Sequence, residues 1–424
     1  MRKQIFSILL FFSSLMCFSQ EQLKLNREEI ETLFLQNNLE LIASTYNISI
    51  ADAAIAQAKL WENPNLTVSS INLWSTETQR NEIEDIAVSP LKNTDFSIEL
   101  SQLIQTANKR RKLIRLEKVS KEIAQQEFED VLRGLKAELR KSIYEIQYSQ
   151  SYLNMLNNQR LYINQLVESH KKHVQLGNIP KSELIRLQSS LIELDNEIND
   201  TQMDLMEQEK TLKVLLNINP LTRIEITDDS KTTKNPDNII LSDLLQTAEE
   251  FRPDMKQSEL QTQYYQRSLD YEKSQRAPDI TVIANYDRYG GIWRNFIGFG
   301  ISVDLPFFNR NQGNIRAAKL GIEQSLHLTQ QQQNLIRHEV VAAYNNYVNT
   351  YNFYQEIENA DLFSELDNML EVYAKNLMNR NINMLEYMDF MDTYRTSNQI
   401  MLTTKKNVNT QFEELQYSVG IDVK

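Results

Sequence analysis

His170 and His173 stand three residues apart near the end of a helical pattern. An i, i+3 histidine pair can offer two imidazoles to one metal ion, but two ligands do not make a closed site. Met384, Met388 and Met391 share one helical face and would suit a soft metal such as copper. The same spacing suits core packing or a soft docking surface, which is the reading preferred here. Asp228-Asp229-Ser230 is a loop signal rather than a calcium site. There is no Gly-rich phosphate loop, no HExxH and no Ser-His-Asp set with supporting context, and the four histidines are scattered over helices. These residues predict neither an enzyme nor a cofactor.

The elements that must position any site are long helices. The 424 residues include only nine glycines and eight prolines, low for a globular chain of this size. The formal charge of −12 argues against binding nucleic acid through phosphate neutralisation. Residues 1–19 read as a signal peptide. Arg2 and Lys3 precede an apolar run from Ile5 to Met16, and Cys17-Phe18-Ser19 offers small residues before a cleavage site at Gln20. Removal takes the charge from −12 to −14. Cys17 is the only cysteine. It either leaves with the signal peptide or is a lipidated first residue, and Ser14-Leu15-Met16 fits lipidation poorly. No later apolar run reaches the length of a membrane helix, so a membrane would have to be entered with strands.

The chain contains itself twice. Asn63-Pro64-Asn65-Leu66-Thr67-Val68 matches Ala277-Pro278-Asp279-Ile280-Thr281-Val282 at an offset of 214. Ser97-Ile98-Glu99-Leu100 matches Ser302-Val303-Asp304-Leu305 at 205, and Asn178-Ile179 with Glu183 matches Asn381-Ile382 with Glu386 at 203. The common order predicts two structural repeats, 20–216 and 239–424, joined by a loop-rich connector at 217–238. Each repeat is a helix, two strands, a very long helix and a returning helix. The strands are expected at about 65–74, 95–103, 279–287 and 297–305. Hairpin tips are expected at about 177–182 and 379–385. The long helices are expected over Ala107–Leu176 and Gly313–Met378. About 65 residues at 1.5 Å each give roughly 100 Å, and the narrow apolar stripe suits coiled-coil-like packing.

The strands alternate. Phe299, Ile301, Val303 and Leu305 oppose Gly298, Gly300, Ser302 and Asp304, and Phe96, Ile98 and Leu100 oppose Ser97, Glu99 and Ser101. Ile280, Val282, Ala284 and Tyr286 alternate less purely, since Ile283 falls on the polar face, and the stretch from Asn65 to Trp74 is mixed. One greasy and one wet face fits either a sheet covered by helices or a membrane barrel around water. Tyr286, Tyr289, Trp293 and Trp74 lie toward strand ends, where an aromatic girdle would run. Four strands cannot close a barrel, so a barrel would be shared between chains.

With Arg252-Pro253-Asp254, the Gly177-Asn178-Ile179 turn and the run Leu305-Pro306-Phe307-Phe308-Asn309-Arg310-Asn311-Gln312-Gly313, the sequence resembles the TolC-like outer-membrane channel family, closest to members working with resistance–nodulation–division (RND) pumps, heavy-metal efflux included. The resemblance covers essentially all of the mature chain. It implies a homotrimer with a 12-stranded outer-membrane β-barrel continuous with a periplasmic α-helical barrel. The function implied is a passive conduit for drugs or metal ions in a tripartite efflux system. A periplasmic adaptor protein and an inner-membrane pump of the RND class would be its partners, with lipid around the barrel and no nucleic acid. It implies acidic constriction rings at Glu386, Asp389 and Asp392, the last continuing the same i, i+3 face. It implies adaptor-docking tips at Gly177, Asn178, Ile179, Pro180, Arg380, Asn381 and Ile382. Ile382 stands where some members carry the arginine of a tyrosine–arginine lock, so that lock does not carry over. Pro306, Phe307 and Phe308 would form the barrel–tunnel junction. The alternatives are a type I protein secretion channel and, more remotely, a periplasmic coiled-coil scaffold without a pore.

Overall fold

The computed structural model describes residues 22–72, 95–227, 233–288, 293, 295–359 and 362–423. The expected signal segment with Cys17, Trp74, the whole of the first strand-connecting loop, Asp228-Asp229-Ser230 and Tyr289 lie outside the described residues. The fold is mainly helical with a minority of strands. In order the elements are β1 (Gln22–Leu25), α1 (Arg27–Asn37), α2 (Leu39–Ala58), β2 (Asn65–Asn72), β3 (Asp95–Ile104), α3 (Lys109–Gln175), α4 (Lys181–Leu216) and β4 (Arg223–Ile226). There follow α5 (Leu241–Phe251), α6 (Pro253–Ser274), β5 (Ile280–Asp287), β6 (Phe296–Val303), α7 (Gln312–Glu358), α8 (Leu362–Met378) and α9 (Met384–Val419).

The duplication is visible element by element. α1 and α5 start and end 214 residues apart, whereas α4 and α9 start and end 203 apart. The offset drops between the strands of each pair, because the connection in the first repeat is longer. This revises one of the sequence matches. In the ladder Val303 faces Ile280, as Leu100 faces Leu66. Val303 therefore corresponds to Leu100 and not to Ile98. The error is two residues, which leaves every side chain on its own face, so alternation could not detect it. By the same correction Pro306 corresponds to Leu103 rather than to Ser101.

Two further expectations change. The second long helix is not continuous: α7 closes at Glu358, with the Asn359 N–H donating to the Gln355 carbonyl at 3.0 Å, and α8 begins at Leu362. The Asn359 side chain competes with helical hydrogen bonding. The first repeat has the buried Leu156 where the second has Asn359, and there α3 runs unbroken. The connector also holds a strand, β4, paired in parallel with β1. Four residues of alternation, with Ile224 and Ile226 buried, were too short a signal to read.

The chain divides into two compact units, Met1–Ser44 with Phe128–Pro253 and Asn334–Lys424, and Thr45–Glu127 with Asp254–Gln333. In the first, one core gathers Ile30, Phe34, Leu139, Ile143, Leu212 and Leu216. A second core, toward the hairpins, gathers Leu156, Leu166, Leu187, Leu194, Tyr387 and Phe390. Beside the former lies a buried charge cluster. Arg140 donates to Glu31 (2.7 Å), Glu413 (2.9 Å) and Asp422 (2.7 Å), and Arg27 reaches Glu31 (3.1 Å) and Glu413 (2.7 Å). It joins α1, α3, α9 and the C-terminal segment. Glu413 is almost fully buried, so each arginine offsets a carboxylate that would otherwise be very costly to desolvate.

The second unit holds a four-stranded antiparallel sheet in the order β2-β3-β5-β6. Its register puts Leu66, Leu100, Ala284 and Phe299 in one cross-strand row, and Val68, Ile98, Tyr286 and Ile297 in another. Thr67, Glu99, Asn285 and Gly298 form a row on the opposite face. The mixed β2 is thereby resolved: Leu66 and Val68 join the apolar face, and the strand turns irregular only after Ser69, where Ser70 has φ 55°.

Candidate functional site: the hairpin tips and the open sheet

α3 cannot continue past Gln175 because Gly177 takes φ +70°, and the Asn178 N–H closes back on the His173 carbonyl at 2.9 Å. Pro180 then precedes α4 as its N-cap. In the second hairpin Arg380 occupies the position matching Gly177, with φ 60°, and the Asn381 N–H returns to the Asn376 carbonyl at 2.9 Å. Arg380 Nη2 donates to the Asn178 carbonyl at 3.3 Å, tying one tip to the other. Ile382 packs against the core. The structure thus brings the seven expected tip residues to two adjacent turns.

α9 begins with a capping box. The Glu386 N–H donates to Asn383 Oδ1 (3.0 Å), and the Asn383 N–H donates to the Glu386 carboxylate (3.2 Å). Met384, Tyr387, Phe390, Met391 and Tyr394 form the buried stripe. Glu386, Asp389 and Asp392 are exposed on the other side of the helix. Their situations differ. Glu386 is partly spent on capping. Asp392 pairs with Arg395 at 2.8 Å, and Arg395 also reaches Glu197 at 3.2 Å. The Tyr152 hydroxyl donates to the other Glu197 oxygen. The Asp389 carboxylate makes no ion pair among the described residues, so it is the least compensated of the three. Sequence reasoning missed the Arg380 bridge and the Arg395–Glu197–Tyr152 link, since each joins residues remote in sequence.

Met384 and Met391 are buried and Met388 is partly so, all within the hairpin core, where they pack as apolar side chains. His170 is buried with Nδ1 3.0 Å from the Leu166 carbonyl, and burial holds its pKa below the ordinary value. His173 lies 3.5 Å from the Asn178 amide. Among the described residues no three His, Cys, Asp or Glu side chains come together as metal ligands.

In the other unit, the apolar sheet face is uncovered: Phe299 is 84% and Ile301 73% exposed, and Leu66, Val68, Leu100 and Val282 are exposed too. β2 and β6 pair on one side only. Such edges and such a face invite further strands and an apolar surround. No described helix is long and apolar enough to cross a membrane. The sheet passes into the helices through two equivalent seams. In each an asparagine in the left-handed region, Asn108 (φ 56°) or Asn311 (φ 56°), immediately precedes the helix. In the first seam Lys109 pairs with Asp279 at 2.8 Å and the Thr106 N–H donates to the same aspartate at 2.8 Å. In the second, Asn311 Nδ2 donates to Glu272 at 2.5 Å. Phe307 and Phe308 are both exposed here.

Residues 32–217 match the family model for outer membrane efflux protein. The cobalt-zinc-cadmium resistance protein CzcC of Cupriavidus metallidurans is 21% identical over 295 residues, 69% of this chain and 66% of that relative. The match thus spans just under two thirds of that relative's length. The Campylobacter jejuni CmeC outer membrane channel aligns with a TM-score of 0.76 at 14% identity, covering 94% of this chain and 86% of that one. CusC, whose structures are described in terms of folding and transmembrane channel formation, aligns with a TM-score of 0.72 at 17% identity, covering 93% and 92%. The chain is thus similar to the outer membrane efflux protein family over residues 32–217, and along nearly its whole length it has the fold of the solved outer-membrane channels CmeC and CusC.

Proposed function

We propose that the chain is one subunit of a homotrimeric outer-membrane channel, a passive conduit for drugs or metal ions. An inner-membrane pump of the RND class would deliver them through a periplasmic adaptor. The observation that carries this is the sheet: four strands, one uncovered apolar face, one polar face and two open edges. Three copies supply twelve strands, enough to close around water with the apolar face on lipid. The helices would extend into the periplasm, where the tips at Gly177–Pro180 and Arg380–Ile382 meet the adaptor. Pro306, Phe307 and Phe308 would sit where barrel gives way to tunnel. The name of the cobalt-zinc-cadmium resistance relative favours small solutes over exported protein.

At the tip, three copies of Asp389 and Glu386 would gather like charges around the axis and attract cations. Asp392 contributes less because Arg395 offsets it. In planar bilayers the purified channel should conduct and prefer cations. Asp389→Asn should weaken that preference most, Glu386→Gln next and Asp392→Asn least. A mature protein that stays monomeric and soluble without detergent would sink the reading.

A further inference from the structure

The second strand-to-helix seam carries a groove of roughly 560 Å³ lined by Arg276, Phe308, Arg310, Ile315, Arg316 and Lys319. Among the described residues none of its four cations forms an ion pair. The nearby Glu272 carboxylate accepts from Asn311 Nδ2 and forms no ion pair with any of the four among the described residues. Four uncompensated cations in one groove of a chain of net charge −12 are not a general solubilising surface. The first repeat is an internal control. Glu62, Ala107, Leu113 and the buried Leu116 occupy the positions matching Arg276, Arg310, Arg316 and Lys319. The first seam is basic as well, through Lys109, Arg110, Arg111 and Lys112, but there Lys109 pairs with Asp279 and Arg110 stacks on Trp61, so the four cations of this groove stand at positions of their own.

We infer that this groove binds the headgroup phosphate of an anionic glycerophospholipid, with the acyl chains along the exposed Leu305, Phe307 and Phe308. Guanidinium groups favour phosphate by charge-assisted, bidentate hydrogen bonding. α7 begins at the groove, and the partial positive charge of a helix N-terminus adds to the attraction. A free phosphate would satisfy the cations but leave Phe308, 96% exposed, facing water. A lipid satisfies both, and the apolar strand face of β6 ends at this seam. The inference rests on the reading that the strands lie in a bilayer, with the seam at the periplasmic leaflet.

The test uses the full-length oligomer purified in uncharged detergent, with native mass spectrometry reading bound phosphatidylglycerol, phosphatidylcholine or inorganic phosphate. Phosphatidylglycerol should be retained over phosphatidylcholine. The triple variant Arg310→Gln/Arg316→Gln/Lys319→Gln should lose it by about tenfold or more. Arg115→Gln/Lys118→Gln, two exposed cations of α3 outside the groove, should not. Phe308→Ser, at a fully exposed position that leaves the fold alone, should weaken lipid retention without creating phosphate binding. Equal retention by wild type and triple variant overturns the site. Phosphate displacing phosphatidylglycerol at millimolar concentration overturns the lipid assignment in favour of a free anion. A wild type that forms no oligomer and enters neither detergent nor vesicles refutes the channel reading instead, so the two failures are distinct.

Discussion

Tyr387 is fully buried in the hairpin core, and its hydroxyl has no hydrogen-bond partner among the described residues. Burial alone pushes its pKa up. A desolvated hydroxyl without a partner costs free energy that a phenyl ring of the same shape does not. Tyr387→Phe should therefore stabilise the protein by about 1 kcal/mol, read as a higher thermal midpoint; a lower midpoint would show that the hydroxyl meets a partner on another chain. The charge cluster makes a pH prediction. Arg140 is the partner that most lowers the pKa of both Glu31 and Asp422, against the opposing effect of burial. A carboxylate with a depressed folded pKa stabilises the fold above its unfolded value, near 4, and that contribution is lost as pH falls through the folded value. The thermal midpoint should hold from neutral pH to about 5 and decline below about 4. Asp422→Asn should flatten that acid limb, and an unchanged limb would remove Asp422 from its cause.

Among elements, the duplication was legible because its signals are local: a proline before the strand, a tight tip, an alternating run. Those signals fixed α4 and the positions of all four strands closely. Three things were not legible, each for a physical reason. A two-residue register difference preserves the faces of β3 and β6. α7 ends at Glu358, before Asn359, without proline or glycine to announce it. β1 and β4 each have only four residues, pair across some two hundred positions, and are held by burying Leu25, Ile224 and Ile226 in the core. At the candidate site, the capping of Glu386 follows from the Asn383-x-x-Glu386 spacing, whereas the pairing of Asp392 through Arg395 to Glu197 needs the fold. Gly321 was the one glycine interrupting α7 beyond its first turn, and packing explains it. A Cβ there would lie 2.5 Å from the Tyr265 ring, so α6 and α7 meet at that point without room for a methyl group. Gly321→Ala should lose about 1–3 kcal/mol to overpacking despite the better helix propensity of alanine. Tyr265→Leu, which withdraws the ring edge, should recover part of the loss in a double-mutant cycle; strictly additive changes would show that the clash is not with that ring.

For the whole molecule the decisive question is what covers the apolar sheet face. If helices of this or another chain cover it in water, a charge on that face is buried and destabilises the fold, but the protein is absent from the membrane fraction whatever the substitution. If lipid covers it, the two faces of β6 respond in opposite ways. Phe299 and Ile301 point to the apolar side, and Ser302 to the polar side with Gly298 and Gly300. On a lipid face, a lysine costs about 2–4 kcal/mol near the bilayer midplane and less toward the interfaces, while a lumen position tolerates charge. Phe299→Lys/Ile301→Lys should therefore deplete the protein from the outer-membrane fraction and abolish the heat-modifiable oligomer on gels. Ser302→Lys should leave both intact and alter only the ion preference of the pore. The comparison also separates a channel from a scaffold, because a scaffold in the periplasm has no lumen in which Ser302→Lys could change conductance. Equal tolerance of both substitutions, with an unchanged membrane fraction, would mean that this sheet does not face lipid.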